Sequence, residues 1–286
     1  MYQDHSEFLS QFCAPNVRTS HSYISVNPNI SLRLFTFQSA QKSENPPLLF
    51  VAGWVSMIEA WQEVLIEITR DFNVYYLETR EKISSRVNGK VSYSVEAIGD
   101  DLIAAVKQFQ FVENNYLMFG SSLGATAILD CYRKLSATPR ALILVGPNAE
   151  FRIPKTWYYI VKFFHPPLYE LIKPSVKWYL RTFRLDLKSD AEQYEKYSRA
   201  IDAGDPWKLK KAVLALSSYE IWPRLSEITK PVLIIGASKD KLHEPENLKK
   251  MVNQLPQSDY IDLETNKKTH SAEMVIHLRK FVTQLQ

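Results

Sequence analysis

Glycine is scarce in this chain, with 8 in 286 residues, and cysteine scarcer still, with only Cys13 and Cys131. So few glycines leave no Gly-rich phosphate cradle, neither a dinucleotide fingerprint nor a P-loop. Two distant cysteines exclude a disulfide scaffold and fit a reducing compartment. There is no His-x-x-x-His and no cysteine pair, so neither a metal site nor a cofactor is expected. No apolar run reaches 18 residues, so no segment is expected to span a membrane. The N-terminus, Met1-Tyr-Gln-Asp-His-Ser-Glu7, lacks a basic region and an apolar run. No signal peptide is therefore expected, and the expected location is cytoplasmic. Nor does one sign of charge dominate: the net charge is +4, too weak and too spread to argue for nucleic acid as a partner.

What is present is enough apolar material for a sizeable core: 45% hydrophobic residues against 23% charged. The first 18 or so residues read as peripheral. Residues 23–26 and 30–37 alternate apolar and polar around Asn27-Pro-Asn29, the pattern of an antiparallel pair with one wet face. Short continuous apolar runs then follow at 48–52, 74–77, 116–119, 141–145 and 232–235. Such runs mark strands buried on both faces. A further strand is expected at 260–263. Helical spacing fills the gaps at 58–68, from Ser94 to 109, at 125–135, 246–255 and 272–285. Strands alternating with helices predict an α/β protein with a mostly parallel sheet flanked by helices. The alternation breaks only at about 148–225, where helical pieces dominate. The expected organisation is one core, 1–147 and 226–286, interrupted by a helical insert at 148–225.

One stretch stands out. The strand at 116–119 runs into Gly120-Ser-Ser-Leu-Gly124, and a helical pattern follows at once. Strand, Gly-x-Ser-x-Gly, helix is the arrangement of a nucleophile elbow. The sharp turn presents the Ser122 hydroxyl at the top of the sheet, and the helix start offers N–H groups to a developing oxyanion. At these glycine and serine frequencies the motif is expected only about 0.02 times by chance.

A serine hydroxyl is a poor nucleophile at neutral pH and needs a base, which in turn needs an orienting acid. Of the six histidines, His270 follows the last expected strand by a short polar loop, 264–269, at the sheet edge that carries Ser122. His277 reads as a helix-face residue, His5 and His21 precede the sheet, His165 lies in the insert, and His243 sits beside a candidate acid. That acid is Asp240 in Gly236-Ala-Ser-Lys-Asp240, just past a buried strand, with Glu150 as the alternative.

Residues 48–54, Gly120–Gly124, Gly236–Asp240 and His270 together resemble the α/β-hydrolase fold superfamily, over nearly the whole chain from about 20 to 285. The resemblance implies a Ser122–Asp240–His270 triad. It also implies an oxyanion hole from the backbone N–H groups of Leu123 and Trp54. Two loops depart from the common pattern. Ala52-Gly53 stands where many relatives carry His-Gly. Glu78-Thr-Arg-Glu-Lys82 stands where many have Asp-x-Arg-Gly-x-Gly. Arg80 is expected to keep the structural role of the usual arginine, and Glu81 and Lys82 to form a charged rim or touch substrate.

The insert resembles the cap that many relatives carry at this point. Residues 151–211 hold 13 Lys/Arg against 7 Asp/Glu, and 13 of the chain's Phe, Trp and Tyr residues. One reading is a small helical cap core with a snorkelling basic face. The other is an apolar acyl pocket with peripheral affinity for anionic lipid. Trp157 and Tyr158, in the densest aromatic part, are the candidate substrate-binding side chains. Pro166, Pro167 and Pro174 are expected to divide the segment into short helices, as a movable lid requires. The expected activity is hydrolysis of a carboxylic ester, or secondly a thioester, of a hydrophobic acyl substrate through an acyl-enzyme. Alternatives are an acyltransferase using the same triad, a peptidase of the same fold, and a non-catalytic binding member.

Overall fold

A computed structural model describes residues 5–40, 43–184, 191–240 and 245–285. The candidate His243 lies outside these. In chain order the first half runs α1 (His5–Ser10), β1 (Val17–Asn27), β2 (Ile30–Ser39), β3 (Leu48–Val51), α2 (Gln62–Ile68), β4 (Val74–Leu77), β5 (Arg86–Val87), α3 (Val95–Gln108), β6 (Leu117–Ser121), α4 (Leu123–Cys131) and β7 (Ala141–Val145). The insert holds α5 (Lys155–Phe163), α6 (Tyr169–Tyr179), α7 (Ala191–Ala203) and α8 (Pro206–Leu216). The core then resumes with β8 (Val232–Gly236), α9 (Pro245–Gln254), β9 (Ser258–Asp262), α10 (Asn266–Thr269) and α11 (Ala272–Gln284).

The strands form one mixed sheet in the order β1-β2-β4-β3-β6-β7-β8-β9, with β5 pairing β2. β1 and β2 are an antiparallel ribbon at one side, and β4 through β9 run parallel. Side chains alternate across the pleat, so the central strands feed two cores. Leu49, Val51, Met118, Leu142 and Ile234 face α3, α4 and α9. Leu48, Phe50, Phe119, Ile143 and Ile235 face α2 and α11. α4, directly behind the sheet, is buried along all nine of its residues. The sheet and its helices are those expected of an α/β-hydrolase.

Two expectations need correction. The N-terminal residues are not wholly peripheral: Leu9 on α1 and Phe12 in the turn after it are buried. The polar stretch 264–269 is not a loop throughout. Thr265 accepts from Lys268 N and caps the one-turn helix α10.

Every parallel strand ends at the same edge, so the loops after β3, β4, β6, β7, β8 and β9 converge there. The insert leaves and returns at this edge through a paired neck. Phe151 N donates to Tyr219 O at 3.0 Å and Ile221 N to Ala149 O at 2.8 Å. Lys208 on α8 then ties the insert to the loop after β4, donating to Lys82 O at 2.6 Å and Ser85 O at 2.7 Å. No helix among the described residues is long and apolar enough to cross a membrane.

Candidate active site

Ser122 sits between β6 and α4 with φ 47° and ψ −117°, a conformation that L-residues adopt only when the surroundings enforce it. Three bonds and two close approaches enforce it here. Ser122 N donates to Val145 O of β7 at 2.9 Å, and Ser122 O accepts from Thr126 N and Thr126 Oγ1, both at 3.0 Å. A Cβ at Gly120 would lie 2.6 Å from Ala125 Cα, and one at Gly124 would lie 2.3 Å from Val51 O. Only glycine lets α4 press this closely on β3 and β6. The Ser122 hydroxyl does not cap α4; it accepts from Asn148 Nδ2 at 3.3 Å. Leu123 opens α4, so its N–H belongs to the first-turn donors that a helix leaves unbonded within itself.

His270 follows α10. Its Nδ1 lies 2.9 Å from Asn266 O and 3.1 Å from Thr269 Oγ1. A carbonyl oxygen can only accept, so the bond to Asn266 O puts the proton on Nδ1 and leaves the lone pair on Nε2. That is the tautomer a general base needs. The ring lies against Trp61 with centroids 4.1 Å apart, and Trp61 in turn meets Phe50 and Phe119 edge-on. Phe119 is on β6, three residues before Ser122, so the aromatic stack couples the imidazole to the elbow strand.

Asp240 follows β8 and is buried. Its Oδ2 accepts from Asn266 Nδ2 at 3.3 Å. Asn266 therefore joins two of the expected residues, holding the Asp240 carboxylate with its side chain and the His270 imidazole with its carbonyl. Glu150 stands elsewhere, at the neck of the insert, bonded to Trp222 Nε1 at 3.1 Å and Arg152 at 2.8 Å.

The loop after β3 completes the arrangement. A Cβ at Gly53 would lie 3.1 Å from Ser122 Cβ, so this loop passes directly beside the serine. Gly53 O accepts from Lys82 Nζ at 2.6 Å and Ser56 N at 3.1 Å. Gly53 C=O and Trp54 N–H belong to one planar trans peptide and point in opposite directions. Fixing the carbonyl therefore fixes the direction of the Trp54 N–H, and the ammonium polarises the peptide so that this N–H becomes a stronger donor.

The expected charged rim does not form. Glu81 and Lys82 are both buried, because Lys82 reaches inward to the β3 loop and Glu81 pairs with Lys82 and accepts from Thr79 Oγ1. Arg80 does take a structural role, with a two-pronged bond to Asp101 at 2.7 Å per contact and further bonds to Ser92 O and Ala97 O. Burial pushes the Asp101 carboxyl above its usual 3.8, against the pull of Arg80.

The two cap residues are not gathered into this constellation. Trp157 is 57% exposed, and half-buried Tyr158 packs edge-on against Tyr159. Conversely, sequence reasoning missed Asn148, Asn266 and Trp61 as well as the part played by Lys82. The signals were weak. Asn148 stands just past a strand in Gly146-Pro-Asn148, and Asn266 stands four residues before His270 behind a capping threonine.

A family model described as serine aminopeptidase, S33, matches residues 69–270, well over half of the chain. The chain belongs to this family. It is thus a hydrolase of the α/β-hydrolase superfamily, and solved structures agree on its fold. A thermophilic esterase from Thermogutta terrifontis matches with a TM-score of 0.69 at 19% identity, covering 93% of this chain and 99% of its own. An enol-lactonase from Burkholderia xenovorans LB400 matches at 0.72 and 14%, covering 92% and 99%. A bacterial membrane phospholipase A matches at 0.72 and 15%, covering 98% and 90%. No curated protein matches this hydrolase by sequence.

Proposed function

We propose that this hydrolase cleaves a carboxylic ester of a hydrophobic acyl group, with thioester as the second choice, through a Ser122 acyl-enzyme. The observation that carries the reading is the Ser122 backbone, held at φ 47° between β6 and α4 with its hydroxyl not used as a cap. Ser122 Oγ attacks the carbonyl carbon while His270 Nε2 takes its proton. The negative charge of Asp240 stabilises the imidazolium, and Asn266, bonded to both, holds acid and base in register. The Leu123 and Trp54 N–H groups receive the oxyanion. His270 then returns the proton to the leaving alkoxide, and water, activated by the same imidazole, releases the acid.

The family's description favours a second reading, an aminopeptidase. Such an enzyme must hold a substrate α-ammonium beside the nucleophile. The ammonium bonded to the Gly53 loop, Lys82, is paired with Glu81, so this pair offers a substrate ammonium no unbalanced negative charge and tolerates the uncharged end of an ester.

The test is fluorophosphonate labelling of wild type beside Ser122→Ala and His270→Ala, followed by p-nitrophenyl esters of increasing chain length and aminoacyl amides. Expected are labelling that vanishes in Ser122→Ala and drops sharply in His270→Ala, and turnover of esters above amides. Absence of labelling in folded wild type would remove the triad, and preferential cleavage of aminoacyl amides would favour the second reading.

A further inference from the structure

The helices α5 and α6 bury none of their residues, although they are among the most aromatic parts of the chain. Helices of a cap core turn their apolar side inward. Here the apolar side faces out. At about 100° per residue, Trp157, Tyr159, Ile160 and Phe163 share one arc of α5, with exposures of 57%, 55%, 56% and 80%. The half-buried Tyr158 and Val161 lie on the opposite arc. Lys155 and Lys162 flank the exposed arc on the Tyr159 side, both exposed. On α6, Leu171, Trp178 and Tyr179 form a second outward arc, with Leu171 75% exposed. The turn joining the two helices adds exposed Leu168.

Single exposed apolar side chains are ordinary; a run of them along two successive helices is an interaction surface. Charge indicates what it meets. Residues 151–182 carry six Lys/Arg against a single Glu. Lys173 and Lys177 turn inward to Asp202 on α7, Arg181 lies over the Tyr194 ring of the same helix and Arg152 pairs with Glu150, which leaves Lys155 and Lys162 beside the outward arc. An outward arc of Trp, Tyr, Phe and aliphatic residues flanked by lysines is the composition of a helix lying in a lipid–water interface. Its rings and aliphatic groups enter the acyl boundary and its cations meet lipid phosphates.

We propose that the outer face of α5 and α6 docks this hydrolase onto an anionic lipid bilayer. The neck at 149–151 and 219–221 places that face on the insert that rises from the sheet edge bearing Ser122. Docking requires no step of the proposed reaction, so it is measured independently of it.

The experiment is flotation of the full chain, carrying Ser122→Ala so that no lipid is consumed. Phosphatidylcholine vesicles containing about one-third phosphatidylglycerol are compared with pure phosphatidylcholine, at low and high salt. Expected are binding to the anionic vesicles, weakening with salt, and a blue shift of tryptophan emission. The double substitution Phe163→Ser with Leu171→Ser is expected to reduce partitioning about tenfold or more. Lys155→Glu with Lys162→Glu is expected to abolish the preference for the anionic vesicles. Both pairs are exposed, so the melting temperature should hold, and on the Ser122 background fluorophosphonate labelling should hold too. Folded protein that floats with neither vesicle overturns the proposal. So does a dimer in solution that Phe163→Ser with Leu171→Ser dissociates, because the face would then be covered by a second copy. Flotation without fluorophosphonate labelling of wild type would leave docking standing and remove the ester-hydrolase reading.

Discussion

Lys82 shows how much one buried side chain can be asked to do. Its ammonium reaches the Gly53 carbonyl at 2.6 Å, and through that peptide plane it aims the Trp54 N–H. The amine also pairs with the buried Glu81 carboxylate, so removing it should cost stability as well as chemistry. Lys82→Met is expected to lower kcat about tenfold to hundredfold with little change in KM, and Lys82→Arg to restore part of it, read from steady-state ester hydrolysis. A purely structural lysine would lower the melting temperature but leave kcat per folded molecule intact. Gly124 is the opposite case, a residue defined by the side chain it lacks. Gly124→Ala places a methyl 2.3 Å from Val51 O, which the backbone of β3 cannot yield to cheaply. The expected cost is about 1–3 kcal/mol, seen as a lower denaturation midpoint.

At the scale of elements, α10 and α11 decide where His270 stands. Arg279 on α11 bonds Glu67 at 2.6 Å and also Asp71, tying α11 to the end of α2. The hydrogen bond from Arg279 holds the Glu67 carboxyl below its usual 4.5. A carboxyl whose folded value is depressed adds stability above the unfolded value and loses it as the pH falls through the folded one. Wild type should therefore exceed Arg279→Met in urea midpoint at about pH 6, and the gap should narrow as the pH approaches about 3. α10 itself lay in a stretch with no apolar periodicity, so its single turn could not be read from the pattern. Its cap residue, Thr265, was visible, but one cap without a hydrophobic face does not announce a helix.

Over the whole molecule, stability is unevenly distributed. The sheet feeds two continuous cores, whereas α5 and α6 contribute nothing buried. Hydrogen exchange should show β3, β6 and β7 among the last amides to exchange. α5 and α6 should exchange orders of magnitude sooner, by local opening that leaves the core folded. A bound bilayer should slow their exchange while leaving the sheet unchanged, which ties the docking surface to the same measurement.

The sheet, its flanking helices and the elbow at Ser122 were legible in the sequence because each rests on local pattern. Buried strands read as short apolar runs, helices as 3.6-residue spacing, and the elbow as glycines two residues either side of a serine. The order of Ser122, Asp240 and His270 along those elements was equally a matter of counting. Only the tertiary structure decided that Asn266 links Asp240 to His270, that Trp61 backs the imidazole, and that Lys82 turns inward to Gly53 and forms no rim. Each of these is a contact between segments distant in the chain or a choice of direction for one long side chain, and neither leaves a period in the sequence. The outward turn of α5 and α6 is of the same kind. Amphipathic spacing declares that a helix has an apolar side, but only the packing of its neighbours decides whether that side meets the core or the outside.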